Sequence, residues 1–139
     1  MIGFIVLLSM IVMHYLSDWV LQTDVVAKYK QKDNWKEYGE KYENDYKSVL
    51  NIHSVFWSIC INAPIIILEL YMYGPKSSDI YCLFITISII LNSLMHYLVD
   101  DLKANYKRIN LRTDQLIHYG QILITFLEYF IFIYSPTSV

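Results

Sequence analysis

The feature that most constrains this chain is the recurrence of apolar runs about as long as a bilayer is thick. A helix needs about 20 residues to cross the hydrocarbon core, and a soluble domain of 139 residues does not normally contain several such runs. The sequence therefore predicts an all-α polytopic membrane protein, folded as a left-handed four-transmembrane-helix bundle. As a single transmembrane domain over residues 1–139, it should have helices at about 2–22, 49–73, 80–103 and 114–134.

Composition supports this class and argues against others. The chain is 55% hydrophobic and only 17% charged, and its net charge of -2 argues against a nucleic-acid partner. Cys60 and Cys82 lie in apolar runs without metal-type spacing, so we interpret them as buried hydrophobes. The first run lacks a basic start and a cleavage site, which indicates a retained transmembrane helix. The sequence is compatible with a homo-oligomer.

The basic residues predict the orientation in the membrane. Six lysines fall within residues 23–48 and four basic residues within 103–112, whereas neither end of the chain carries any. The positive-inside rule then places both loops in the cytoplasm and both termini outside a bacterial inner or plasma membrane. Aromatic residues at helical spacing, with Asn34 and Glu37 as a capping box, predict an interfacial amphipathic helix over about 34–48. A partner-docking helix is the alternative for this segment.

This topology brings all four histidines of the chain to one depth, one on each helix, near the cytoplasmic side. Three of them have an aspartate four residues away, which lies on the same face of a helix. Ionisable residues inside a membrane are expensive and usually mark a functional site. The candidates at this level are His14, Asp18, His53, His96, Asp100, Asp114 and His118.

Imidazole and carboxylate together suit a metal site. They bind zinc and other first-row divalent ions, and no thiolate lies among them. Because the candidates exceed one tetrahedral site, either two ions bind, or Asp18, Asp100 and Asp114 include a general base or groups that orient the histidines. Each residue also has a structural alternative. A histidine can hydrogen-bond a neighbouring helix, Asp114 can cap the fourth helix, and Lys103 can extend to the interface.

The ordered set of these residues resembles a small membrane-protein family of bacteria and phages, catalogued as domain of unknown function 3307. The resemblance covers nearly the whole chain and departs from the family pattern at the long charged segment 33–47. It implies a fold and a residue set, and no reaction. The residues that carry it are His14, Asp18, Trp19, Leu21, Gln22, Ala27, Lys28, His53, His96, Asp100, Lys103, Asp114, Gln115 and His118.

The leading functional hypothesis is a metal-dependent membrane hydrolase that acts on a lipid-like or membrane-anchored substrate. One or two divalent ions, zinc most of all, would lower the pKa of a bound water toward ~7. Histidines and aspartates at one depth of a helical bundle are similar to the sites of intramembrane zinc hydrolases of the ceramidase type. This is an analogy between sites only. The alternatives are a metal-binding transporter or sensor without catalysis, and a structural or lysis-related phage membrane protein. The sequence gives little support for a continuous polar path for transport, since the outer halves of the helices contain only Glu69, Glu128 and a few amides.

Overall fold

The computed structural model describes residues 1–74 and 79–134, and every regular element within these ranges is helical. The all-α prediction is therefore confirmed. The first helix does not remain α-helical to residue 22, because a π-helical turn at Leu16–Val20 follows its α-helical part. Helix α3 begins three residues earlier than expected and continues through Pro64. The helices are α1 (Ile2–Tyr15), α2 (Asp24–Tyr29), α3 (Tyr46–Tyr73), α4 (Asp79–Ala104) and α5 (Leu111–Tyr134).

Three segments of the described chain, not four, are long and apolar enough to cross a membrane. They are Ile2–Val20, Glu40–Tyr73 and Asp79–Ala104. Helix α5 is not among them, and its first half carries Asp114, Gln115, His118 and Gln121. The outward faces of the long helices carry large apolar side chains such as Phe4, Ile67 and Leu94, which are all more than half exposed. Such a surface is typical of helices surrounded by lipid rather than water.

The four long helices pack side by side. Helix α1 packs against α3 and α5, and α4 packs against the same two helices. The apolar core between them lies mainly away from the polar cluster described below, and includes Val6, Met10, Ile61, Ile65 and Ile122.

Helix α5 extends along the full length of this arrangement. Phe130, near its end, lies against Gly3 at the start of α1, where a Cβ atom would come within 2.7 Å of the phenyl ring. Glycine is therefore needed at position 3 for this close approach. Tyr129 donates a hydrogen bond to Glu69 of α3 over 2.8 Å, which joins the two helices at the same end.

The connection between α1 and α3, residues 21–45, is folded but does not form the predicted helix over 34–48. Two short 3₁₀-helices, Lys32–Tyr38 and Glu40–Tyr42, occupy it instead. They are separated by Gly39, whose φ of 94° lies in the left-handed region that interrupts a helix. The capping box does not form either, because the Asn34 side chain donates to the backbone carbonyl of Lys28 at 2.7 Å.

Candidate metal centre

All seven residues predicted for the site lie in one buried cluster, at the end of the helices that carries the two basic connections. Each residue of this His–Asp cluster is within 4.0 Å of another through a nitrogen–oxygen pair. Five of the residues are 0 or 1% exposed, and His53 is 5% exposed. The members are His14, Asp18, His53, His96, Asp100, Asp114 and His118.

Four nitrogen–oxygen distances in the cluster are close to those between ligands of one metal ion. His53 Nε2 lies 3.5 Å from Asp18 Oδ1 and 3.5 Å from Asp100 Oδ2. His96 Nε2 lies 3.9 Å and 3.8 Å from the same two oxygens. Ligands at about 2.0–2.1 Å from a tetrahedral zinc ion stand roughly 3.4 Å apart. The histidine–aspartate distances are therefore only slightly longer than those around a bound zinc ion.

Several of these atoms have no hydrogen-bond partner among the residues that the structure describes. Asp18 Oδ1, His53 Nε2 and both ring nitrogens of His96 are fully buried and unpartnered in this way. Polar groups removed from water without a partner are costly, so their convergence indicates a ligand site. Asp18, His53 and His96 form one candidate ligand group, and His96, Asp100 and His118 form another. Because His96 belongs to both groups, it stands at the centre of the cluster.

His118 is held by an amide network that fixes which nitrogen is free. Gln121 Nε2 donates to the backbone carbonyl of Asn92 at 3.3 Å, so its oxygen faces His118 Nδ1 at 2.9 Å. The Nδ1–H of His118 must therefore be the donor, which leaves Nε2 to face the carboxylates. His118 Nε2 lies 3.5 Å from Asp114 Oδ1 and 4.0 Å from Asp100 Oδ1.

His14 is placed differently from the other histidines, because both of its ring nitrogens are already hydrogen-bonded. The indole N–H of Trp57 donates to His14 Nδ1 at 2.9 Å, and His14 Nε2 contacts Gln115 Oε1 at 3.1 Å. An indole can only donate, so Nδ1 accepts and Nε2 carries the proton. His14 Nδ1 also lies 3.6 Å from Asp18 Oδ2. Because Nδ1 accepts from Trp57, it cannot also donate to that carboxylate, and neither ring nitrogen of His14 is free to bind a metal.

Two lysines contact the carboxylates of the cluster. Lys30 Nζ lies 2.8 Å from Asp100 Oδ2, and Lys103 Nζ lies 3.2 Å from Asp100 Oδ1 and 2.6 Å from Asp114 Oδ2. Lys103 does not simply extend to the interface, because its ammonium group joins α4 to α5. With neutral histidines, Asp18, Asp100 and Asp114 outnumber the two ammonium groups, so one negative charge is left uncompensated. A bound cation would offset this negative charge.

Local structure positions two of the three aspartates, Asp18 and Asp114. The π-helical turn Leu16–Val20 contains Asp18, and π-turns of this kind occur frequently at functional sites. Asp114 does not cap α5, because the Asn110 side chain accepts from the backbone N–H of Thr113 at 2.9 Å. Asn110 thus performs the capping role that the sequence left open for Asp114, whose carboxylate instead faces His118.

Three residues of the site were missed by sequence reasoning. Trp57 lies one helical turn after His53, so the spacing predicts that both side chains share one face of α3. In the structure, the Trp57 ring also stacks on His96, with the ring centroids 4.2 Å apart. Gln121 lies three residues after His118 and carried a similar signal. Lys30 carried none, since only the fold of the α1–α3 connection brings it into the cluster. Glu69 and Glu128 lie outside the cluster, as expected.

Outside the membrane spans, the α1–α3 connection is stabilised by local contacts. Asn105, just after α4, accepts from the backbone N–H of Lys32 at 2.6 Å and donates to the Lys30 carbonyl at 3.1 Å. Lys32 also pairs with Glu43 at 2.8 Å. The hydrogen bond and charge of Glu43 raise the pKa of the Lys32 ammonium group. The two hydrogen bonds of Asn105 therefore hold the backbone at Lys30 and at Lys32, and this positions the Lys30 side chain next to Asp100.

Comparison with known proteins gives one match. No curated protein and no solved structure matches this chain. A family profile described as "Protein of unknown function (DUF3307)" matches residues 6–138, which include every member of the His–Asp cluster. By this match over nearly its whole length, the chain belongs to the DUF3307 family.

Proposed function

We propose that this protein is an integral membrane protein in which all four long helices cross the bilayer. The proposal is supported by α5, which runs beside the three apolar spans from His118 in the cluster to Phe130 beside Gly3. The basic connections would then lie in the cytoplasm and both termini outside. Burial of Lys30 removes one charge from the positive surface, and the remaining lysines and arginines of these connections still give the same orientation.

The His–Asp cluster would bind one divalent metal ion, zinc by preference, through Asp18, His53 and His96, which leaves the fourth tetrahedral position open for water. The observation that carries this proposal is the convergence of buried, unpartnered atoms of these three residues within 4.8 Å of one another. Charge balance favours one ion over two. Without metal, the site carries one uncompensated negative charge. A single divalent ion would turn this into one uncompensated positive charge, whereas two ions would leave three.

The reaction class we propose is hydrolysis. A bound divalent ion lowers the pKa of a water ligand to about 7 and polarises a carbonyl or phosphoryl oxygen. Asp114 Oδ1 and His118 Nε2 lie 3.5 Å apart and are both unpartnered within the described residues, so they would accept the proton of that water. In this scheme Asp18 is a ligand with His53 and His96, Asp114 with His118 is the general base, and Asp100 lies beside the ion, paired with Lys30 and Lys103.

A lipid-like or membrane-anchored substrate fits the surroundings of the cluster. An apolar groove of about 480 Å³ lies between the α1–α3 connection and the start of α3, and it could take an acyl chain. Two of its lining residues, Tyr29 and Ile52, directly precede Lys30 and His53 of the site. The groove thus lies at the same level of the molecule as the cluster.

A metal transporter or sensor is the second candidate, and a specific observation favours it. From His118 and Gln121, buried polar groups continue away from the basic end. Asn92 donates to Thr125 Oγ1 at 2.8 Å, and Ser88 donates to Asn62 Oδ1 at 2.9 Å. This polar row is more extensive than the sequence indicated. Metal uptake into vesicles containing the purified protein would favour this second function, whereas ester turnover without uptake would favour the first.

Metal analysis of chelator-free purified protein tests the shared basis of both functions. We expect about one equivalent of zinc in the wild type and a large loss in His53→Ala and His96→Ala. Glu69→Gln is the matched control, because Glu69 is a buried carboxylate on the same helix as His53 but is bonded to Tyr129. Wild-type protein that carries no metal, and whose melting temperature ignores added zinc, would leave a structural or lysis-related role as the better reading.

A further inference from the structure

Two lysines of the site, Lys30 and Lys103, converge on one carboxylate. Lys30 contacts Asp100 Oδ2 and Lys103 contacts Asp100 Oδ1, so their ammonium groups lie on either side of the same aspartate. Lys30 is 7% exposed although it comes from a connecting segment, where lysines normally reach water. The arrangement therefore concentrates two positive charges beside the proposed metal ligands.

Charge balance changes the role of these lysines when the metal is present. The proposed ion would share the negative charge of Asp18 and Asp100, and the centre would then carry one excess positive charge. A buried uncompensated charge is strongly unfavourable. The metal-loaded site therefore requires one anion, and Lys30 and Lys103 are the groups beside the metal that can donate to it.

The chemistry of the donors indicates the class of anion. Lysine ammonium groups bind phosphate as point charges, and lysines together with a divalent ion commonly hold phosphoryl groups. The side chain of Lys103 is 23% exposed, which makes it the more accessible of the two and marks the side from which an anion would enter. At this end of the helices both soluble phosphate and the phosphate of a lipid headgroup are within reach.

We propose that Lys30 and Lys103 form, with the metal of the proposed function on which this inference rests, a subsite for the phosphate group of a substrate. The phosphate is held between the two ammonium groups and one open coordination position of the ion. Asp100 stays between the two lysines, beside the metal. The substrate class is thus narrowed from esters in general to phosphate-bearing compounds.

Calorimetric titration of zinc-loaded protein in detergent tests this subsite. The probes are inorganic phosphate, short-chain phosphatidic acid, and the matching uncharged diacylglycerol. We expect at least one phosphate probe to bind and the diacylglycerol not to bind. Binding of phosphatidic acid alone identifies a lipid source, and binding of inorganic phosphate alone identifies a soluble one. Failure of both phosphate probes to bind metal-loaded wild type would overturn the proposal.

Variants locate the binding on the two lysines. Lys30→Met and Lys103→Met keep the side-chain length and remove the charge, and each should weaken phosphate binding about 10- to 100-fold. Lys28→Met is the matched control, since Lys28 is an exposed lysine two residues away. Lys30→Arg, which retains the charge, should restore most of the binding. Equal weakening in Lys28→Met and Lys30→Met would refute the assignment.

Two readouts separate this inference from the proposed function. Zinc content is measured for every variant, so metal-free wild type would count against the metal site itself. Zinc retained with no phosphate binding would count against the subsite alone. Should Lys30→Met not yield folded protein, Lys103→Met carries the same test, because its partly exposed side chain is less constrained by packing.

Discussion

Trp57 donates its indole N–H to Nδ1 of His14 over 2.9 Å, and this single bond distinguishes His14 from the other three histidines. With Gln115 at Nε2, His14 has no free ring nitrogen, whereas His53 and His96 each have at least one. The four histidines are equivalent ligand candidates in the sequence, but their hydrogen bonds make them chemically distinct in the structure. This difference can be tested with matched substitutions.

The first prediction compares the histidines as metal ligands. His53→Ala and His96→Ala should lose most of the bound zinc, because each removes an unpartnered buried nitrogen from the proposed ion. His14→Ala should retain metal, because both ring nitrogens of His14 are already hydrogen-bonded, and its zinc affinity should fall by no more than about 10- to 100-fold. Zinc-to-protein ratios from mass spectrometry measure this. Equal loss of zinc in His14→Ala and His96→Ala would mean that His14 binds the ion directly.

The second prediction concerns pH. Histidine must be neutral to bind a metal, and its unperturbed pKa is about 6.5. Protons therefore compete with zinc increasingly as the pH falls, and occupancy should drop below about pH 6 and recover above it. Competition with a chromogenic chelator across the pH range measures the change. An affinity that does not vary between about pH 5 and 8 would exclude histidine ligands. The control variant Glu69→Gln should give the wild-type profile.

The third prediction concerns topology. If α5 crosses the membrane with the three apolar spans, reporter fusions at the two termini should both report an external location. A fusion within residues 103–112 should report the cytoplasm. An external N-terminus with a cytoplasmic C-terminus would show that only three helices cross, in agreement with hydropathy alone. The His–Asp cluster would still exist in that case, but its depth in the membrane would need a different account.

The fourth prediction tests the fixation of the α1–α3 connection. Asn105→Ala removes two hydrogen bonds to the backbone of residues 30 and 32, worth about 1–3 kcal/mol together. Hydrogen exchange within residues 24–38 should become correspondingly faster. The matched control is Asn51→Ala, which removes an exposed amide on α3. Unchanged exchange in Asn105→Ala would indicate that the Lys30–Asp100 contact alone holds the connection in place.

The fifth prediction separates stability from metal binding. Tyr129→Phe removes the donor to Glu69 and leaves a buried carboxylate without this bond, which should cost about 1–3 kcal/mol. The melting temperature should fall while zinc content stays at the wild-type level, because Tyr129 lies far along α5 from His118. Loss of zinc together with loss of stability would show that the two ends of the helices are coupled.

Helical periodicity was enough to predict where the cluster lies. His96 and Asp100, like Asp114 and His118, are one turn apart on a single helix, so their shared face follows from the period of the α-helix. The alternation of helix direction then places such pairs at one level. These parts of the site depend only on local geometry and on antiparallel packing, which is why the sequence was sufficient.

The remaining features depend on contacts that have no local signal. Gly39 interrupts the predicted interfacial helix through a left-handed backbone conformation, which the surrounding aromatic spacing conceals. Lys30 was counted as a surface charge because nothing adjacent to it in the chain predicts Asp100, 70 residues away. The bonds of His14 to Trp57 and Gln115 likewise join separate helices. Tertiary structure, rather than propensity, decides each of these.

The ion pair between Lys103 and Asp114 has a consequence for how the protein enters the membrane. These residues stand on consecutive helices joined by a short connection, and their charged atoms meet at 2.6 Å. An unpaired lysine or aspartate costs roughly 2.5–3.5 kcal/mol on insertion at the centre of a helix, and less near a helix end, where these two residues lie. If α5 crosses the bilayer as proposed, helices α4 and α5 can enter the lipid together as a hairpin, with these two charges already neutralised by each other. The partner of Lys30, by contrast, becomes available only once α4 is in place, so its pairing completes assembly.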